Sequence, residues 1–331
     1  MLVTTTFIVF LVLVSFAGCK KDETPNSPGN TDLAQWIQTA TPSASWVASF
    51  AVSDSNLFAG TYGDGIFLST NNGTSWTQVN TGLTNNYILA LAISPNGAGG
   101  ANLFAGTGGG VFLSTNYGTS WAAVNTGLST SVISSLVISG VNIFASTYSG
   151  AGIFLSTNNG TNWKEVNNGL TNTFVFALAV SGANLFAGAG FDEGLVFLST
   201  NNGTSWTEVY RGLPNTEINA FAVSDTNIFA GLGFQNEKRS SDGVILSTNK
   251  GTSWTVVNAG LTDTYVSTLA VNGTNLFVGT RLDGVFLSTN NGTSWTATST
   301  GLTSTYVMSL AVSGKYLFAG TYDGGVWRHP L

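Results

Sequence analysis

The charged and aromatic residues best suited to bind a ligand are concentrated in neighbouring stretches of a chain in which only 8% of residues are charged. Residues 231–243 extend a turn that is short elsewhere in the sequence, and residues 210–217 replace a recurring Asn-Thr-Gly-Leu-Thr pattern. With the turn at 191–193, they supply the candidate ligand-binding set Asp192, Glu193, Tyr210, Arg211, Glu217, Phe234, Glu237, Lys238, Arg239 and Asp242. A solvated loop can also accumulate charged residues without a function, so both interpretations stay open.

The catalytic chemistry open to this chain is narrow because it has one histidine, His329, and one cysteine, Cys19. Neither a Ser/His/Asp triad nor a Cys/His pair can be assembled, and a His/Cys metal site is excluded in the same way. We therefore predict no catalytic residues, no metal and no cofactor. Glycoside hydrolysis is the enzyme class left to test, since it needs only two carboxylates at a suitable separation.

An octapeptide that recurs six times, every 41 to 48 residues, indicates how these residues are positioned. Each repeat contains four short segments rich in β-branched and aromatic residues, bounded by Gly, Asn, Asp or Ser, which predicts four antiparallel strands, A to D. Seven A strands can be counted. The last repeat lacks strand D, and the segment around Trp36 matches the missing strand. We predict an all-β, seven-bladed propeller closed by pairing of residues 34–39 with the three C-terminal strands. The alternative is an open solenoid.

The octapeptide pattern Ser-x-Asn-x-Gly-x-Ser/Thr-Trp resembles the Asp-box, or BNR repeat, of sialidases, sortilin-type receptors, xyloglucan-cleaving glycosidases and photosystem II assembly factors. The resemblance extends over residues 33–331. It implies that the motif fastens the turn between strands C and D, and that it is structural. The residues concerned are Asn71, Gly73, Trp76, Asn116, Trp121, Asn158, Trp163, Asn201, Trp206, Asn249, Trp254, Asn290 and Trp295. Asn replaces the usual Asp in all six copies, which argues against cation sites.

A sialidase-type site, by the same resemblance, would need three arginines around the substrate carboxylate. Arg211, Arg239, Arg281 and Arg328 fall in unlike positions of their repeats, so we expect no sialidase activity. In propellers generally, the B–C and D–A connections form the ligand-binding face. On that face, a second candidate set is the aromatic residues at the start of the A strands, which either stack on sugars or pack between blades: Trp46, Tyr87, Phe174, Tyr265 and Tyr306.

The amino terminus predicts export. Residues 7–17 form an apolar run too short to span a bilayer but suited to a signal peptide, and it ends in Phe-Ala-Gly-Cys, which resembles a lipoprotein lipobox. We expect a lipoprotein signal peptide over 1–18, lipid attachment at Cys19, a flexible tether over 19–32 and a propeller over 33–331. The alternative is an ordinary signal peptide that contains a cysteine.

The net charge of −6 and pI near 4.6 argue against a nucleic-acid partner, since no basic stripe is present. Our first hypothesis is a monomeric, lipid-anchored binding propeller of the bacterial envelope, exposed at the cell surface, that recognises a glycan or an envelope or extracellular protein. The alternatives are a glycoside hydrolase that uses carboxylates of blades 4 and 5, and an assembly factor for an envelope complex.

Overall fold

The computed structural model describes residues 35–40, 45–95, 101–234, with Phe234 by its backbone alone, and 243–331. These residues form seven four-stranded antiparallel sheets, each with its strands in sequential order except where the termini meet. The fold prediction is therefore confirmed. Cys19 and the predicted signal peptide and tether lie outside the described residues. Within the described part of the chain, no helix has the length and apolar character needed to cross a bilayer.

One side chain from each A strand lines the cavity on the propeller axis, which identifies the A strands as the innermost strands. They are β2 (Val47–Ser53), β6 (Ile88–Pro95), β10 (Ile133–Ser139), β14 (Val175–Ser181), β18 (Thr216–Ser224), β22 (Val266–Asn272) and β26 (Val307–Ser313). Each has a register shift near its start, for example between Val47 and Ser49 in β2. Such bulges re-aim the side chains that follow, here toward the axis.

The B strands are almost fully buried because neighbouring blades cover both of their faces. They are β3 (Asn56–Thr61), β7 (Ala101–Thr107), β11 (Asn142–Thr147), β15 (Asn184–Ala189), β19 (Asn227–Phe234), β23 (Asn275–Thr280) and β27 (Tyr316–Thr321). The C strands follow, as β4 (Gly65–Ser69), β8 (Gly110–Ser114), β12 (Ile153–Ser156), β16 (Glu193–Ser199), β20 (Val244–Ser247), β24 (Val285–Ser288) and β28 (Val326–Pro330). Continuous apolar runs suit strands that are buried on both faces.

The D strands at the outer edge are only two residues long in six blades. They are β5 (Thr77–Gln78), β9 (Ala122–Ala123), β13 (Lys164–Glu165), β21 (Thr255–Val256), β25 (Thr296–Ala297) and β1 (Ile37–Gln38), whereas β17 (Thr207–Pro214) in blade 4 has eight residues. The strand β1 completes blade 7, with Ile37 opposite Arg328 and Gln38 opposite Trp327. This confirms closure of the ring by the two termini.

Each octapeptide forms a hydrogen-bonded turn between strands C and D. In blade 1 the Ser69 hydroxyl accepts the Gly73 N–H at 2.8 Å, and Asn71 Oδ1 accepts the Ser75 N–H at 2.9 Å. Gly73 has φ of 79°, a conformation that side chains disfavour. The amide of Asn71 thus satisfies the turn through local hydrogen bonds, without a charge.

The octapeptide tryptophans also connect successive blades. Trp121 donates its backbone N–H to Thr81 O at 2.8 Å and its indole N–H to Val79 O at 2.7 Å, both in the preceding blade. Trp163, Trp206 and Trp295 make the same pair of contacts, as does Trp36. The exceptions are Trp76 and Trp254, which are only partly buried. The Trp254 indole donates within its own turn, at the junction that follows the long strand β17.

Candidate functional site

One face of the propeller is formed by the B–C turns and the D–A connections, which hydrogen bond to one another. In blade 1, Tyr62 donates its N–H to Trp46 O at 2.9 Å, and Gly63 donates to Asn86 O at 3.1 Å. The first of these bonds recurs as a rung that joins the residue before strand A to the residue after strand B. The other rungs are Tyr87–Gly108, Val132–Tyr148, Phe174–Gly190, Tyr265–Arg281 and Tyr306–Tyr322, and Glu217 lies opposite Gly233 in blade 5. We call this face the mouth face.

Five aromatic side chains of the mouth face form a continuous series across blades 2, 1 and 7, which we call the aromatic arc. Tyr87 contacts Tyr62 edge-on at 4.9 Å between ring centroids, and Tyr62 stacks on Trp46 at 4.9 Å. Trp46 stacks on Tyr322 at 4.2 Å, and Tyr322 lies parallel to Tyr306 at 4.9 Å. Tyr87 keeps 49% of its surface exposed. The arc therefore presents apolar rings and phenolic hydroxyls to solvent.

A second aromatic group lies on blades 3 and 4. Phe191 contacts Phe174, Phe176 and Tyr148, with ring centroids at 4.7, 5.2 and 5.8 Å. Its φ of 91° differs from those of the other described non-glycine residues with positive φ, which lie between 52° and 61°. A bulky residue in this region is strained, and such strain is concentrated at functional sites. An open depression of about 530 Å³ beside this group is lined by residues 171–174 with Phe191 and Asp192.

The axial channel opens between these two groups as a cavity of about 260 Å³. Each A strand contributes one residue to the cavity wall, the one that directly follows a fully buried Val or Ile near the start of the strand. These residues are Ala48, Leu89, Ser134, Phe176, Asn219, Ser267 and Met308. Tyr148, Tyr265 and Tyr306 line it as well. The Ser267 hydroxyl is buried and has no hydrogen-bond partner among the described residues. The cavity thus combines aromatic rings with hydroxyl and amide groups.

Two opposite charges flank Tyr265 at the mouth. The Tyr265 hydroxyl donates to Glu217 Oε1 at 3.5 Å, and the guanidinium of Arg281 lies 5.2 Å from the Tyr265 ring and 5.5 Å from that of Tyr306. Burial raises the pKa of Tyr265, and the negative charge of Glu217 raises it further. Burial and Glu217 raise the pKa of Tyr148 in the same way. These phenols therefore stay protonated and can donate hydrogen bonds at neutral pH.

The structure places the described members of the predicted ligand-binding set in several parts of blades 4 and 5. Glu217 lies at the channel mouth, and exposed Asp192 lines the depression beside Phe191. Glu193 and Glu208 both pair with Arg211 along strands β16 and β17. Tyr210 packs between blades against Trp254, at 6.2 Å. The remaining members, Glu237, Lys238, Arg239 and Asp242, and the side chain of Phe234, lie outside the described residues.

The five aromatic residues predicted at the starts of the A strands all lie on the mouth face, as expected. Sequence analysis missed Tyr62, Arg281 and Tyr322, which are the rung partners of Trp46, Tyr265 and Tyr306, and it missed Tyr148, whose rung partner is Val132. A signal was available, because each of these residues occupies the same repeat position, directly after the last buried threonine of strand B. Phe176 and Phe191 were missed too. Phe176 lies two residues after Phe174, inside strand β14, and Phe191 lies in a turn noted for its acidic neighbours.

Among known proteins, no family model and no curated protein matches this chain. It is similar in fold to many solved structures, and three of them illustrate the range. The extracellular domain of BT4673 from B. thetaiotaomicron has a TM-score of 0.69 and 16% identity over 90% of this chain and 40% of that chain. The GH74 xyloglucanase from Xanthomonas campestris has a TM-score of 0.70 and 16% identity over 89% and 53%. YCF48, bound to D1 peptide, has a TM-score of 0.68 and 12% identity over 93% and 99%. At these identities the similarity concerns the β-propeller fold, and this chain spans about half or less of the first two.

Proposed function

We propose that this protein is a non-catalytic binding propeller that recognises a glycan at its mouth face. The observation that supports this proposal most is the aromatic arc, together with the hydroxyl and amide groups of the adjacent channel cavity. A sugar ring has apolar C–H patches and many hydroxyl groups. Half-exposed rings such as those of Tyr87 and Phe174 match the first, and groups such as Asn219 match the second. The similar GH74 protein is a xyloglucanase, which supports carbohydrate recognition on this fold.

The test is a glycan array probed with the wild-type protein and with single variants. We expect Tyr87→Ala and Phe174→Ala to weaken binding of any captured glycan by about tenfold, because an aromatic contact contributes about 0.5–1.5 kcal/mol beyond its buried area. The matched control is Tyr117→Asn. Tyr117 lies in a C–D turn on the opposite face, at a position where four other octapeptides carry Asn. Equal binding by all three variants would refute the mouth face as the site.

Hydrolysis is the enzymatic alternative. It requires an acid and a second carboxylate, and the described residues place Glu217 at the channel mouth and Asp192 in the adjacent depression. If the protein cleaves a captured glycan, and if Glu217→Gln and Asp192→Asn each abolish cleavage while binding persists, the non-catalytic proposal is wrong. A protein partner, or a role in assembly of an envelope complex, would instead appear as capture of a polypeptide by the same face. The similar structure of YCF48 contains a bound peptide, which supports including polypeptides among the ligands tested.

We also propose that the propeller is exported to the bacterial envelope and anchored through Cys19. The support is the sequence of the predicted signal peptide and its cysteine, which lie outside the described residues. Labelling with an alkyne fatty acid tests this, since Cys19→Ser should remove the label and release the protein from the membrane fraction. Label retained by Cys19→Ser would contradict the anchor.

A further inference from the structure

The well-exposed aromatic side chains among the described residues all lie on the mouth face. They are Tyr62, Tyr87, Tyr148, Phe174 and Tyr322, and they come from blades 1, 2, 3, 4 and 7. A monomeric protein that leaves several large rings exposed on one face commonly uses that face for binding. Because these rings are spread over five blades, the surface they form is wider than any single blade.

Aromatic rings stand on opposite sides of the axial channel. In a closed ring of seven blades, blade 7 lies opposite the junction of blades 3 and 4. Tyr148 and Phe176 line the axial cavity from that junction, and Tyr306 lines it from blade 7. On the first side, Phe191 contacts both of these rings. On the second side, Tyr322 stacks on Tyr306 at 4.9 Å. The two sides together form an aromatic path that crosses the mouth.

The cavity beneath this path has one polar side and one apolar side. Asn219 and Ser267 line it from blades 5 and 6, whereas Ala48 and Leu89 line it from blades 1 and 2. The Ser267 hydroxyl is buried and has no hydrogen-bond partner among the described residues. A sugar ring has hydroxyl groups at its edge and C–H groups on its faces. A sugar unit that crosses the channel therefore finds a matching surface for each.

At blade 4 the aromatic path ends in the depression beside Phe191. The depression has a volume of about 530 Å³ and the axial cavity about 260 Å³, and no residue lines both of them. Thr171 and Thr173 add hydroxyl groups to the wall of the depression, and these can hydrogen bond to sugar hydroxyls. A single sugar unit cannot occupy the depression and also contact blade 7. A ligand that uses the whole path must therefore contain several units.

We propose that the mouth face binds an extended linear oligosaccharide, which lies across the channel from the depression of blade 4 to the aromatic arc at blade 7. This rests on the proposed glycan-binding function and specifies the ligand class, a chain of several units and not a terminal mono- or disaccharide. Units joined in one chain bind together, which raises the affinity without any new contact at each position. Chain length is thus the property that the site selects.

The experiment measures by calorimetry how tightly the wild-type protein binds a disaccharide and a hexasaccharide of the same linkage. The probes are prepared from cellulose, xylan, mannan and chitin, together with the same two lengths of any linear glycan captured on the array. We expect the hexasaccharide of at least one series to bind about a hundredfold or more tightly than its disaccharide.

Two substitutions remove a ring from opposite sides of the channel. Phe174→Ala and Tyr322→Ala should each weaken hexasaccharide binding by about tenfold. Only one of them should weaken disaccharide binding, because a disaccharide cannot reach both sides. A loss caused by a general structural effect would instead be the same for both lengths. Tyr117→Asn, in a turn on the opposite face, is the control and should leave both affinities unchanged.

The wild-type comparison tests the proposal without any variant. Equal affinity for the two lengths, or capture of only mono- and disaccharides on the array, would overturn the extended chain while leaving glycan binding intact. The same holds if hexasaccharide binding is weakened by Phe174→Ala and not by folded Tyr322→Ala, since the ligand would then occupy one side alone. Failure to bind these sugars and every glycan on the array would instead remove the proposed function.

Discussion

Substitutions at Phe191 measure how much backbone strain is present at the mouth face. At φ of 91° an L side chain pays about 1–2 kcal/mol relative to its favoured conformations, whereas glycine does not. The ring offsets this through three edge contacts at 4.7 to 5.8 Å, each worth about 0.5 kcal/mol beyond area burial for a half-buried side chain. Phe191→Ala loses the ring and keeps the strain, while Phe191→Gly loses both.

We therefore expect Phe191→Gly to be more stable than Phe191→Ala by about 1 kcal/mol in urea unfolding. At Thr173, whose φ is not positive, the order should reverse, with Ala more stable than Gly by about 0.5–1 kcal/mol. Both Phe191 variants should weaken glycan binding to the same extent, because both lack the ring. A Phe191→Ala variant as stable as Phe191→Gly, with the normal order at Thr173, would show that the backbone is not strained there.

Three further perturbations test the fold and the electrostatics. Trp163→Phe should destabilise the protein by about 1–2 kcal/mol more than Trp76→Phe, because the first leaves a partly buried carbonyl of the neighbouring blade without its donor, while the Trp76 indole has no described partner; equal shifts in melting temperature would contradict this. Gly82→Ala should cost several times the ~1 kcal/mol of Gly140→Ala in urea unfolding, since both have positive φ but a Cβ at Gly82 would meet a backbone oxygen at 2.2 Å and one at Gly140 meets nothing within 4 Å. Folding raises the pKa of Tyr265, so the protonated phenol contributes stability that is fully present below pH ~10 and is lost as the pH rises further. Tyr265→Phe should therefore flatten the fall in melting temperature between about pH 10 and 11.5. An unchanged slope would refute the raised pKa.

The seven-blade count and the closing strand could be predicted because both depend on local repetition. The period of the tryptophans sets the blade size, and the segment that contains Trp36 matches the strand that the last repeat lacks. The long strand β17 was visible as a deviation at residues 210–217, but its consequence was not. Extending this strand changes the junction with blade 5, where Tyr210 packs on Trp254. Tyr210, a member of the predicted ligand-binding set, therefore also contributes to the blade interface.

The mouth face was predicted less completely because its contacts join residues that are distant in sequence. Trp46 stacks on Tyr322 across the junction of the first and last blades, so no local pattern announces the contact. The rung that brings Tyr62 beside Trp46 depends on the bulge at the start of strand A, which cannot be placed from composition. The φ of Phe191 likewise results from tertiary packing.

Some positions carry the same residue in nearly every blade of this chain, and others differ from blade to blade. Only the positions that differ can make one part of the ring specific for a ligand. Positions that every blade needs for the same contact, such as the inter-blade tryptophans, are nearly uniform and cannot distinguish one sector of the ring from another. The rung positions have no such shared duty, and they differ from blade to blade: Glu217 faces Gly233 in blade 5, while Tyr265 faces Arg281 in blade 6. A sevenfold scaffold thereby carries an asymmetric mouth. If exchanging the rung residues of blades 5 and 6 left glycan binding unaltered, this asymmetry would have no part in recognition, and the site would have to lie elsewhere on the propeller.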